Sequence, residues 1–129
     1  MKVLLDTHIL LWSATEPDRL SLDARTALED GANEVLVSII SAWEIAIKQS
    51  LGKLELARPA EHWLPDVLVR TGFEVAELGL AAALRVRSLA WHHRDPFDRL
   101  LIAQAFEEGY TIVTHDEAFA AYGVPVLLT

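Results

Sequence analysis

The chain has 129 residues, of which 52% are hydrophobic, a formal net charge of -8 and no cysteine. That length suits a single domain, residues 1–129, burying about two-thirds of the surface its unfolded form would expose; the lack of cysteine excludes disulfide frameworks, thiolate metal sites and thiol nucleophiles, so any metal must be held by oxygen or imidazole. No apolar run approaches the roughly 18 to 20 residues of a membrane span and the N-terminus has no signal-peptide pattern, so a cytoplasmic protein with no membrane partner is expected.

Val3-Leu4-Leu5 reads as a strand buried on both faces, as in a parallel sheet, and it stops at Asp6-Thr7. Open α/β sheets bind ligands beyond the carboxyl ends of their strands, which is where Asp6 falls. A short helix over Ile9 to Ala14 is broken by Glu16-Pro17-Asp18, and Ser21 caps a second helix that runs to Asp30 and stops at Gly31. Glu34 to Ser38 is the next buried strand. A helix begins at Ser41 and ends near Ser50-Leu51-Gly52, placing Glu44 beside its apolar face and four residues before Lys48, a possible ion-pair partner.

Pro59 and Pro65 bracket the start of a helix whose inward stripe is Leu64, Val67, Leu68 and Thr71, with Gly72 as its end. Phe73 to Leu78 alternates like a strand near a sheet edge, and Leu80 to Trp91 reads as a helix. Asp95-Pro96-Phe97-Asp98 then opens a helix with Asp95 as N-cap, Pro96 as first residue and Asp98 two positions on, packed through Leu101, Ile102, Ala105 and Phe106. Thr111 to Thr114 is a further buried strand ending at His115-Asp116. Asp116 can cap a short helix over Glu117 to Ala121, and Val124 to Leu128 is a last edge strand.

Asp6 and Asp116 thus follow strand ends, while Glu44 and Asp98 lie on helices. Four carboxylates gathered at one side of a parallel sheet would raise one another's pKa values unless a cation or proton were shared among them. Oxygen ligands without cysteine favour Mg²⁺ or Mn²⁺, and hence phosphodiester hydrolysis. A charge of -8 argues against broad capture of nucleic acid, but Arg85, Arg87, His92, His93, Arg94 and Arg99 form a local basic lip in the sequence.

Together, Leu4-Leu5-Asp6-Thr7-His8, Val37-Ser38-Ile39-Ile40-Ser41-Ala42-Trp43-Glu44-Ile45, Asp95 to Ala105 and Thr114-His115-Asp116 resemble a PIN domain, specifically the toxin of a VapBC-type toxin–antitoxin pair. The resemblance spans essentially the whole chain. It implies a three-layer α/β/α fold with a central, mainly parallel sheet and a Mg²⁺- or Mn²⁺-dependent ribonuclease. The family's acidic catalytic and metal-binding positions fall on Asp6, Glu44, Asp98 and Asp116, and its small hydroxyls near the site on Thr7, Ser38 and Thr114. Asp95 belongs to the same motif, either behind the ligands or only as an N-cap. His8 stands where many PIN domains have asparagine; it is open to RNA contact, to orienting Thr7 or to packing, with packing preferred. His93, Arg94 and Arg99 are candidate RNA contacts. Similar toxins form homodimers and are silenced by a cognate antitoxin, interfaces that exposed Trp12, Trp43 or Trp63 would suit. Two rivals stand: a phosphatase or phosphotransferase built on a strand-end aspartate, although His8 takes the place of the second aspartate and no late lysine follows Thr114; and a PIN-like module that binds RNA or protein without cutting.

Overall fold

The computed structural model describes all residues, Met1–Thr129. Five strands, β1 (Lys2–Leu5), β2 (Glu34–Ser38), β3 (Glu74–Ala76), β4 (Thr111–Thr114) and β5 (Val126–Leu128), form one sheet in the order β3-β2-β1-β4-β5, and every pairing is parallel. The helices are α1 (Thr7–Thr15), α2 (Leu22–Glu29), α3 (Ile39–Ser50), α4 (Ala60–Thr71), α5 (Leu80–Arg85) and α6 (Pro96–Glu108).

Strand alternation divides the core. Val3, Leu5, Val35, Val37 and Val113 face one side, where they pack with Ile9 and Leu10 of α1, Ile45 of α3 and Trp63 and Val67 of α4. Leu4, Leu36 and Ile112 face the other, against Leu101, Ile102 and Ala105 of α6 and Phe119. Three layers result because side chains of successive strand residues point to opposite faces and both faces are apolar. The chain builds outward from β1 through β2 to β3, then returns to place β4 on the other side of β1. The reversal opens a crevice beyond the carboxyl ends of β1 and β4, the usual ligand position in such sheets.

Several boundaries differ from those read in the sequence, each for a local reason. α3 starts two residues before Ser41, because Ser38 ends β2 and also caps the helix, its Oγ accepting from the Ile40 N–H at 3.0 Å. Pro65 lies inside α4 rather than at its start, the helix being anchored by buried Trp63 and Val67. Gly31 is not a left-handed cap; the turn after α2 is made by Asp30, whose carboxylate accepts from the Ala32 N–H at 2.9 Å. The expected helix to Trp91 stops at Arg85 and gives way to a short 3₁₀ turn over Val86–Ser88. The cause is Arg99 on α6, whose guanidinium donates to the carbonyls of Val86, Leu89, Ala90 and His93 and so takes up the chain's hydrogen bonds in an irregular course. The turn over Glu117–Tyr122 is 3₁₀ rather than α.

Candidate active site

A cleft of about 510 Å³ opens at the carboxyl ends of β1 and β4 and has no hydrophobic side chain in its lining. Asp6, Glu44, Asp98 and Asp116 all line it, joined by Asp95. The fold therefore brings together all four acids expected from the sequence.

Each carboxylate is held differently. Asp6 occupies the N-cap position of α1 without capping it; its carboxylate instead accepts from the Thr114 hydroxyl at 2.7 Å, while its backbone N–H continues the β1–β4 ladder to Val113 at 3.0 Å. Burial pushes the Asp6 carboxyl above its ordinary range, against the opposing Thr114 bond and the nearby His8. Glu44 is 5% exposed and ion-paired with Lys48, so both the expected pairing and the inward placement hold. The pairing, with burial opposing it, raises the Lys48 ammonium above its usual pKa, and Asp95 and Asp98 add to the effect.

Asp98 receives no hydrogen bond to its carboxyl, and burial, with Asp95, Asp6 and Glu44 around it, pushes it up to about 7. Asp95 is indeed the N-cap of α6: one of its oxygens accepts from the Phe97 N–H at 2.8 Å and from the Asp98 N–H at 3.2 Å. Because Asp95 also lines the cleft, it combines the capping role with a charge beside Asp98. Asp116 caps the 3₁₀ turn through the Ala118 N–H at 2.9 Å, and its other oxygen bonds His93 Nε2 at 2.7 Å. Burial raises Asp116, but the bonds from His93 and Ala118 outweigh it and hold the carboxyl below the usual carboxylate range.

The supporting hydroxyls divide. Thr114 bonds Asp6 directly and also accepts from the Asp116 N–H at 3.1 Å, tying two acids to one strand end. Thr7 donates to Ser41 Oγ at 2.8 Å and lines a smaller cavity beside the cleft. Ser38 lines neither cavity: it is fully buried and donates to Gln104 Oε1 at 2.6 Å, which locks β2 to α6. Its role is in the scaffold.

Three further expectations are corrected. His8 is not packed away; it is exposed, lines the cleft and stands edge-on to His115 with ring centroids 5.4 Å apart. His93 does not offer its ring to RNA, because its side chain is only 10% exposed and its two nitrogens bond Asp116 and, at 3.0 Å, the Tyr122 hydroxyl. Arg99 is 2% exposed and spent on loop carbonyls, with Trp91 stacked over it at 3.7 Å, so it cannot meet a substrate. The basic lip is reduced accordingly, since Arg85 is also paired, with Glu107 at 2.8 Å, while Arg87 and His92 stay exposed. Arg94 remains exposed, next to Asp95. Among the tryptophans, Trp63 is core, Trp12 lies half-buried between Arg19 and His115, and Trp43 is 55% exposed.

The cleft also contains residues that sequence reasoning did not place there: His115, Glu117 and Lys48. The adjacency of His115 to Asp116 and the four-residue step from Glu44 to Lys48 were the available signals.

Whether these groups suit a cation follows from their chemistry. No three acids or imidazoles converge closely enough to chelate an ion unaided. The donors on hand are carboxylate oxygens, in a cleft where burial, with neighbouring acids adding to it, pushes Asp98 up to about 7 and no donor reaches its oxygens. That set fits a hydrated hard dication such as Mg²⁺, which takes one or two carboxylates, keeps several waters and recruits substrate phosphate.

Comparison with known proteins agrees with this architecture. The PIN domain family model matches residues 3–125. Ribonuclease VapC22 of Mycobacterium tuberculosis (strain ATCC 25618 / H37Rv) is 37% identical over 125 residues, covering 95% of this chain and 93% of that protein. Among solved structures, VapBC2 from Rickettsia felis, bound to a DNA fragment from the promoter, superposes with a TM-score of 0.76 at 18% identity over 99% of this chain and 98% of that one. DNA-bound VapBC from Salmonella typhimurium follows with 0.70 at 19% identity, over 98% and 97%. An all-parallel sheet with an acid-lined crevice at its reversal point, matched by the family model over nearly its whole length, makes this chain a member of the PIN domain family.

Proposed function

We propose that the protein is a metal-dependent ribonuclease, the toxin of a VapBC-type pair, and that it hydrolyses RNA phosphodiester bonds in the acidic cleft. The observation that carries this reading is the gathering of Asp6, Glu44, Asp98 and Asp116 around one polar cleft in a chain similar over 95% of its length to a protein named as a ribonuclease. Asp6, Glu44, Asp98 and Asp116 would hold a hydrated Mg²⁺ or Mn²⁺, one or two of them directly and the others through its waters. Such an ion, when bound, lowers the pKa of an attacking water and offsets charge on the phosphate.

The chain's own groups supply orientation. Thr114 fixes the Asp6 carboxylate from one side. Lys48 aims the Glu44 carboxylate through their ion pair. His93, anchored by Tyr122, sets the angle of Asp116. His8 and Arg94, both exposed beside the acids, are the RNA contacts retained from the sequence. Exposed Trp43 stands edge-on to Phe97 at 5.3 Å, and the two are the sequence neighbours of Glu44 and Asp98. This aromatic pair suits a cognate antitoxin or the partner subunit of a homodimer. No helix is long and apolar enough to cross a membrane; action on RNA would place the protein in the cytoplasm.

The test is direct. Purified protein is expected to degrade RNA with Mn²⁺, to stop when a chelator is added, and to lose cutting in Asp98→Asn. Absence of Mn²⁺-dependent cleavage by the wild type, in the presence of intact fold, overturns the reading and leaves the binding-module alternative.

A further inference from the structure

The end of α3 brings two lysines together beside the acidic cleft. Gly52 adopts φ 71°, its N–H donates to the Gln49 carbonyl at 3.1 Å, and the Lys53 N–H reaches back to the Lys48 carbonyl at 2.9 Å. These are the two bonds of a Schellman cap, which sets the residue after the left-handed glycine against the last turn of the helix and often pairs apolar side chains there. Here the pair is Lys53 and Lys48. Attraction of cations to a helix C-terminus accounts for a lysine in the last turn. It does not account for the cavity of about 130 Å³ that both lysines line with Thr7 and His8 on its polar side and Leu11, Ile45 and Leu54 on its apolar side, a cavity that shares His8, Glu44 and Lys48 with the acidic cleft.

The other basic side chains are committed elsewhere or line neither space. Lys2, Arg19, Arg25, Arg58 and Arg85 are paired with carboxylates on the surface. Arg99 is buried. Lys53, Arg70, Arg87 and Arg94 have no carboxylate partner, and of these Lys53 alone lines a cavity. A polyanion approaching a chain of net charge -8 meets repulsion at the cleft unless a cation stands beside it. Lys53 is that cation, with Lys48 behind it offset by Glu44.

We infer that the cavity lined by Lys53, Lys48, His8 and Thr7 is a phosphate subsite, which holds the backbone phosphate next to the one being cut. The inference rests on the ribonuclease reading and adds to it where the substrate strand runs: from the acidic cleft across His8 toward the C-terminal end of α3. Lys53 acts through charge and hydrogen bonds to non-bridging oxygens and takes no part in bond breaking.

Binding of a short fluorescein-labelled RNA oligonucleotide of mixed sequence, titrated with KCl on an Asp98→Asn background, tests this. Adding Lys53→Gln is expected to weaken binding several-fold at low salt and to reduce the slope of log affinity against log salt by about 0.7, the contribution of one phosphate contact on a single strand. Lys53→Arg restores both, and Arg70→Gln, also exposed but lining neither cavity, changes neither. A Lys53→Gln slope equal to that of Arg70→Gln, with a wild type that still cuts RNA, overturns the subsite and leaves the ribonuclease standing. A wild type that neither cuts nor binds RNA overturns both.

Discussion

Asp98 and Asp116 line the same cleft, one from the first turn of α6 and one from the end of β4, and the protein treats their carboxyl groups in opposite ways. Asp98 is largely buried without a donor, and burial, with its acidic neighbours Asp95, Asp6 and Glu44 adding to it, pushes it up to about 7. Asp116 has His93 on one oxygen and the Ala118 N–H on the other, so it stays below the ordinary range despite some burial. The α6 wall is an incomplete arrangement that a cation would complete. The β4 wall is already complete, its geometry set by protein groups reaching back to Tyr122.

Removing Asp98 breaks the contrast most sharply. Asp98→Asn is expected to lower Mn²⁺-dependent RNA cleavage by roughly 10²- to 10³-fold, the size typical of losing one preorganised electrostatic group. The same variant should melt roughly 3–6 °C higher than the wild type without metal at neutral pH, because a crowded charge is gone. Mn²⁺ should then raise the wild-type melting temperature more than that of the variant in a thermal-shift assay. A variant that is both active and thermally unchanged would show that Asp98 is a bystander.

Loss of Arg99 tests the opposite wall from behind. The guanidinium ties four carbonyls of the segment that carries His93, so Arg99→Met leaves buried acceptors without donors. A destabilisation of about 3 kcal/mol in urea denaturation is expected. Replacing His93 itself by alanine is milder. It should reduce cleavage by about ten-fold, as when a group supporting a ligand is removed, and raise the Asp116 pKa measured by NMR titration; an unchanged Asp116 would sever His93 from the site.

The smallest effect is a pH dependence. Asp98 has a raised folded-state pKa, so the folded protein binds more protons than the unfolded chain between pH 3.8 and about 7. Metal-free stability therefore falls as pH rises through that window, by roughly 1–2 kcal/mol after allowance for partial solvent screening. Asp6, raised by burial, acts in the same sense. Asp116 acts in the opposite sense: its stabilising contribution is present above its unfolded pKa and is lost only as pH falls below it. Saturating Mn²⁺ should flatten the decline in urea denaturation across this range, while a metal-free slope that rises with pH would contradict the crowding at Asp98.

How far the site was legible depends on the range of the interaction. The strand-end positions of Asp6 and Asp116 and the N-cap of α6 follow from apolar runs and capping residues within a few positions, and the structure reproduces them. His93 and Arg99 could not be read this way. Both sit in a basic-looking segment, and only contacts to Asp116, 23 positions away, and to carbonyls 6 to 13 positions back turn them inward. Ser38 was misplaced for a similar reason, its partner Gln104 lying 66 positions along the chain.

By itself the sequence determined the buried strands, the helix starts at Ser21 and Asp95, and the strand ends and helices that carry the four acids, because hydrophobic period and capping are local physics. The tertiary structure alone decided which of those acids were left crowded and which were satisfied. Burial, carboxylate proximity and donor supply are set by neighbours brought together from distant parts of the chain, so the opposed states of Asp98 and Asp116 exist only once β1, α3, α6 and β4 meet around one cleft.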